Sequence, residues 1–267
     1  MEPKLGEVID VVDEMVPGAL AEDWDNSGLQ VGDRHWHVKR VWVALDPLPE
    51  VIAAAGASGV DLLITHHPLI FKPLSVIDTR TMEGAAVQQA LAHQVAVFSA
   101  HTNLDRTYEG VNDVLAAKIG LDDIRPLPME SAQDAPGFGR IGKLAQAVTF
   151  FELVQTLKKT MGLERVRTVG NLETVIETVV VCSGSGSSMV KAFFDTGADV
   201  FISGDLRYHE ARAFEFLQKA LIDIGHFASE HIIVESLAGR LKSLFARQGW
   251  EIDVAAYSLE KDPFVIL

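Results

Sequence analysis

Two adjacent histidines, His66-His67, close the apolar run Leu62-Leu63-Ile64-Thr65 and stand just before Pro68. Side chains alternate across a strand, so neighbouring imidazoles in extended chain diverge and can serve two nearby metal ions rather than one. Proline favours an extended residue before it and cannot donate to a ladder, which places both rings at a strand's C-terminal tip. In open α/β sheets that rim is where ligands bind. Two further segments carry similar chemistry. Ser99-Ala100-His101-Thr102-Asn103-Leu104-Asp105 follows another predicted strand, and Gly225-His226-Phe227-Ala228-Ser229-Glu230-His231 sets a histidine and a glutamate four residues apart. That spacing shares a face in a helix, and in extended chain as well.

His66, His67, Asp105, His226 and Glu230 together offer three imidazoles and two carboxylates. The mixture suits two divalent transition-metal ions, drawn from Zn, Fe, Mn, Ni and Co, better than Ca or Mg, which take oxygen shells. Two ions roughly 3.5–4 Å apart need bridging groups, which carboxylates supply, and a water shared between them is the natural nucleophile. His101 and His231 are candidate catalytic residues, as proton shuttles or as partners that orient the ligands. His35, His37 and His93 lack such company and read as surface residues. Ser183-Gly184-Ser185-Gly186-Ser187-Ser188, between a strand and a helix starting near Met189, is either a tight turn or a phosphate cradle. Cys182 before it lacks an activating neighbour and reads as a small buried hydrophobe.

The elements that must position these groups follow from periodicity. Leu5, Val8, Ile9, Val12, Met15 and Val16 mark one helix face over 5–16. Strands are expected at 29–32, 38–45, 61–65 and 95–99, and helices at 49–57 and 82–93. Strand, helix and strand in succession predict parallel pairing with crossover helices. The pattern of Val41 to Thr65 recurs without gaps in Val179 to Ser203, which places Gly204-Asp205 at the rim equivalent to His66-His67. A second echo, at a slightly shorter offset, matches Ala90-Leu91 to Ala220-Leu221 and Ser99-Ala100-His101 to Ser229-Glu230-His231. Two copies suggest two related α/β lobes with an internal pseudo-repeat. Pro126 to Gly142, rich in Pro, Gly and acids, is the expected junction between them.

Composition narrows the function classes. The 267 residues are 48% hydrophobic, enough for two packed lobes. Twenty-three basic residues against 37 acids give a formal charge of −14, which disfavours nucleic-acid binding, since phosphate recognition rests on clustered Lys and Arg. A single cysteine fits a reducing compartment, and neither a signal-peptide pattern nor a membrane-length apolar run is present, so a cytoplasmic protein is expected.

Trp24-Asp25-Asn26-Ser27-Gly28-Leu29-Gln30-Val31-Gly32, Thr65-His66-His67-Pro68-Leu69-Ile70-Phe71, His101-Thr102-Asn103-Leu104-Asp105, Ser203-Gly204-Asp205 and Gly225-His226 with Ser229-Glu230 resemble the GTP cyclohydrolase I type 2 homolog family, also called NIF-three-like or dinuclear metal centre hexameric proteins. The resemblance runs essentially the whole length. It implies a discontinuous first α/β lobe, residues 1–125 with 226–267, and a second lobe, 126–225. It implies two metals held by His66, His67, Asp105, His226 and Glu230 in the cleft between the lobes, and a toroidal homohexamer. The activity it implies is a metal-dependent hydrolysis of a small molecule, cyclohydrolase-like or on another nucleotide or phosphoester. A non-enzymatic metal-handling, chaperone or regulatory role is the alternative.

Overall fold

The computed structural model describes residues 2–128 and 137–265. The chain is mixed α/β and divides into two compact units, Met1–Thr107 with Ile233–Lys261, and Tyr108–Ile232 with Asp262–Leu267.

In the first unit, α1 (Leu5–Met15) is followed by β1 (Gly28–Val31), β2 (Arg40–Ala44), α2 (Pro49–Ala57), β3 (Leu62–Thr65), α3 (Met82–His93), β4 (Ala96–Ser99) and the short α4 (Thr102–Arg106). The strand order is β1-β4-β3-β2 and then β11 (Asp253–Ala256), which follows α10 (Ile232–Arg247). β2, β3, β4 and β11 run parallel, and β1 is antiparallel at the edge. Every residue of β3 and β4 is buried, as expected of parallel strands covered on both faces. Val51, Ile52 and Ala55 of α2 pack with Ala86, Val87 and Ala90 of α3 over Leu63 and Val97.

The second unit holds α5 (Val111–Ile119), β5 (Leu121–Pro126), β6 (Arg140–Thr149), α6 (Phe150–Met161), β7 (Arg167–Val169), β8 (Val175–Ser185), α7 (Val190–Thr196), β9 (Val200–Gly204), α8 (Tyr208–Phe216), β10 (Ala220–Asp223) and α9 (His226–Glu230). Its sheet order is β5-β6-β8-β9-β10-β7. Phe150, Leu153 and Leu157 of α6 are buried against Ile176, Val179 and Val181 of β8. Each such burial contributes roughly 1.5–3 kcal/mol.

The expected lobe limits shift. β5 pairs antiparallel with β6, from Leu121↔Leu144 to Pro126↔Arg140, which draws residues 108–125 into the second unit rather than the first. Residues 226–232 also belong to the second unit. The segment expected as an interlobe junction, 126–142, instead connects the two strands of this hairpin, with Leu127 N–H on the Gly139 carbonyl at 2.8 Å; its residues 129–136 lie outside those described.

The first echo has a structural counterpart. Val41 pairs with Leu62, and Val179 with Val200, so both sheets contain a parallel strand–helix–strand unit with one register. The second echo joins unlike elements. Ala90-Leu91 lies in α3 but Ala220-Leu221 in β10, and Ser99 ends β4 whereas Ser229 lies in α9.

Candidate metal centre

Register builds the rim of the first unit. Ala44 of β2 pairs with Thr65 of β3, and Thr65 with Ser99 of β4. Two positions further along each strand stand Asp46, His67 and His101. The chain bends at His66 and His67 rather than continuing the pleat. Thr65 and Ser99 hydroxyls hold the bend by donating to the His67 carbonyl at 2.8 and 3.3 Å. The expected divergence of the two imidazoles is therefore not what the fold delivers. Their ring centroids lie 5.1 Å apart, and His101 stands 5.2 Å from His66 and 5.8 Å from His67. One nitrogen from each of the three falls within 4.8 Å of the others, an arrangement that can hold a metal ion. Asp105, one turn into α4, brings Oδ1 to 3.8 Å from His66 Nε2. His101, read from sequence as a shuttle or an orienting partner, thus also belongs to the donor cluster.

Each of these imidazoles has an acceptor at Nδ1. The Ala100 carbonyl faces His66 Nδ1 at 3.0 Å, the Asp46 carboxylate faces His67 Nδ1 at 2.7 Å, and the Asp25 carboxylate faces His101 Nδ1 at 2.8 Å. An acceptor there requires the hydrogen on Nδ1, which leaves the lone pair of the neutral ring on Nε2. That is the tautomer metal-binding histidines use, so the donor set fits a transition-metal ion. The Asp25 side chain is wholly covered. Burial acts to raise its pKa, but hydrogen bonds from the His101 ring, Thr102 and Ser27 outweigh burial and hold the carboxyl well below the usual aspartate range. Trp24 and Phe71, both exposed, meet edge-on at 5.9 Å, and each ring centroid lies 6.3 Å from that of His101.

The second unit brings His226 and Glu230 together. They open and close α9, with Nε2 and Oε2 at 2.9 Å, and Glu230 is buried. Asp205, just past β9, accepts from His226 Nδ1 at 2.8 Å, repeating the carboxylate–imidazole pairing of the first unit. Close backbone packing makes room for this pair. A Cβ on Gly184 would lie 2.1 Å from Glu230 Oε1, and one on Gly204 would lie 2.7 Å from the His226 nitrogen. The Gly184 N–H donates to Ser229 Oγ at 2.8 Å, and that hydroxyl donates to the His226 carbonyl at 2.7 Å. Ser183, Gly184 and Ser185 of the Gly/Ser segment end β8, with Gly184 close under Glu230, and only from Gly186 does the chain turn, Gly186–Met189 forming a single 3-10 turn. His231 stacks on Phe227, centroids 4.7 Å apart. His209, on α8, is exposed, as are His35, His37 and His93. Cys182 is buried beside Phe193 and Phe201.

Asp46 and Glu260 were missed at the level of sequence, and Gly184 was read only as part of a turn or phosphate cradle. Asp46 was within reach, because a carboxylate directly after the strand expected at 38–45 belongs on the ligand rim.

No helix among the described residues is long and apolar enough to cross a membrane. The sequence profile of the family described as Duf34/NIF3 (NGG1p interacting factor 3) matches residues 3–263. A protein of Clostridium perfringens named GTP cyclohydrolase 1 type 2 homolog is 31% identical over 261 residues, covering 98% of each chain. A Streptomyces coelicolor protein of the same name is 35% identical over 269 residues, covering 98% of this chain and 94% of its own. Among solved structures, a Staphylococcus aureus hypothetical protein superposes with a TM-score of 0.93 at 28% identity over the full length of both chains.

Proposed function

The chain belongs to the Duf34/NIF3 family, and we propose that it is a dinuclear metal-dependent hydrolase acting on a small molecule. The observation that carries this reading is the cluster of His66, His67 and His101, each ring held at Nδ1 by an acceptor. Asp105 completes the donors of the first unit, and His226 and Glu230 are those of the second. When bound, a pair of divalent ions supplies an acidified water and neutralises the negative charge that develops during attack.

The chain's own groups do the rest. The Asp25 carboxylate fixes the His101 ring with its hydrogen on Nδ1, which keeps the Nε2 lone pair turned toward His66 and His67 as a donor for an ion. Trp24 and Phe71 offer an apolar wall for a substrate beside that ring. The scarcity of Lys and Arg in the site motifs points away from unaided triphosphate binding, so the substrate class extends beyond GTP ring opening to nucleotides and phosphoesters generally. The same reading carries a toroidal homohexamer in the cytoplasm.

Purified, metal-replete protein should be assayed on nucleotide and phosphoester panels beside His66→Ala and Glu230→Ala. Turnover lost in both variants, with the assembly intact by sedimentation, is the expected outcome. A parent without turnover that passes its ions rapidly to an acceptor would establish a metal-handling protein instead.

A further inference from the structure

Resting on the metal-binding reading above, we propose that Glu260 is a positioning residue for the metal centre, acting on His67 through the Leu45-Asp46 dipeptide. The chain leaves the end of β2 at Leu45. There the Leu45 carbonyl accepts from His67 N–H at 3.0 Å, and the Asp46 carboxylate accepts from His67 Nδ1 at 2.7 Å. The orientation of this dipeptide therefore fixes both the backbone and the ring of His67. Pro47 follows and brings no N–H to hold it. The holding comes from the far end of the sequence. Glu260 accepts from Leu45 N–H with Oε2 and from Asp46 N–H with Oε1, each at 2.8 Å.

Anchoring the C-terminal segment does not require this carboxylate. β11 is already laddered to β2 from Arg40↔Asp253 to Val43↔Ala256. Tyr257 N–H then bonds the Val43 carbonyl at 2.8 Å, and the Tyr257 ring stacks on Trp42 at 5.3 Å. What Glu260 adds is a second half-buried carboxylate beside Asp46. Burial raises its pKa, the two N–H donors pull it back, and the charge of Asp46 raises it again, leaving it above the ordinary range. Two crowded carboxylates next to an imidazole are costly in isolation and are relieved by a cation on that imidazole.

The first unit contains its own control. At the opposite end of β2, Asp61 Oδ2 accepts from Lys39 N–H and Arg40 N–H, each at 2.8 Å, a similar clamp remote from the histidines. Co2+ affinity, measured by competition with a chromophoric chelator, and the visible absorption of the Co2+ form should be compared in wild type, Glu260→Gln, Glu260→Asp and Asp61→Asn. Glu260→Gln keeps the size but turns an amide N–H2 toward one donor. It should weaken Co2+ binding about tenfold or more and alter the absorption bands, on the scale of lost ligand-orienting contacts. Glu260→Asp should recover part of the loss, and Asp61→Asn should lower thermal stability with affinity unchanged. Wild-type affinity in Glu260→Gln, or an equal loss in Asp61→Asn, overturns the proposal and leaves the metal reading standing. Wild type that binds no Co2+ overturns both.

Discussion

Glu230 has room for its carboxylate because position 184 carries no side chain. Gly184 has φ +59, and a Cβ there would meet Glu230 Oε1 at 2.1 Å, whereas Gly197, with φ +74, has nothing within 4 Å of its own Cβ position. Gly184→Ala should therefore lower metal affinity about 10- to 100-fold, while Gly197→Ala, which pays the same kind of backbone strain, should leave affinity intact. Equal affinities in the two variants, measured by chelator competition, would contradict this assignment. Residue types and spacing made His66, His67, Asp105, His226 and Glu230 visible as candidate donors in the sequence. Glu260, and the part Gly184 plays under Glu230, were not visible, because each depends on a register or a close approach that only the folded chain creates. Even the histidine pair was misread in one respect. Strand alternation predicts divergence, but the bend held by Thr65 and Ser99 gathers both rings toward His101.

Elements were legible where one strong period ran without interruption. The helices expected at 49–57 and 82–93 are α2 and α3, and the strands at 61–65 and 95–99 are β3 and β4 within a residue. The antiparallel part of the second sheet was opaque. β6 shifts register between Lys143 and Val148 as it pairs with β8, so no clean alternation survives in its sequence. β8 runs from Val175, earlier than the start of the recurring pattern at Val179 suggests, because its first residues pair with that irregular end of β6. α6 shows how a local signal sets a boundary. Thr149 Oγ1 accepts from Glu152 N–H at 3.2 Å, and Glu152 Oε2 accepts from Thr149 N–H at 2.8 Å, a reciprocal cap. Thr149→Ala should cost about 1 kcal/mol in chemical denaturation. The capping bonds hold the Glu152 carboxyl below its ordinary pKa, the backbone N–H of Thr149 contributing most. A depressed carboxylate stabilises the fold above its unfolded-state value, about 4.3, and that stabilisation fades as pH falls through the folded value. Wild type should thus exceed Glu152→Gln in stability near neutrality, and the gap should close below about pH 4. A gap that widens on acidification would contradict the cap.

For the whole molecule, the sequence pattern conveyed two α/β parts, and the family resemblance the return of the C-terminal segment to the first; the two compact units divide at 107/108 and 232/233. The hairpin of β5 and β6, which draws 108–125 into the second unit, depends on cross-strand pairing interrupted by a register shift between Asp122 and Arg125, which leaves no regular alternation to read. If the metals bind the folded chain and not the unfolded one, loading should raise the thermal midpoint by mass action, and a chelator should reverse the gain. An unchanged midpoint in saturating Co2+ would argue that the donors are not organised as described. The most direct test is the metal content of protein purified without chelator and reloaded, with His66→Ala, His67→Ala and Glu230→Ala prepared alongside. The account predicts about two transition-metal ions per chain and reduced content in every variant. Wild-type protein devoid of metal after reloading, or variants that retain the full complement, would contradict it.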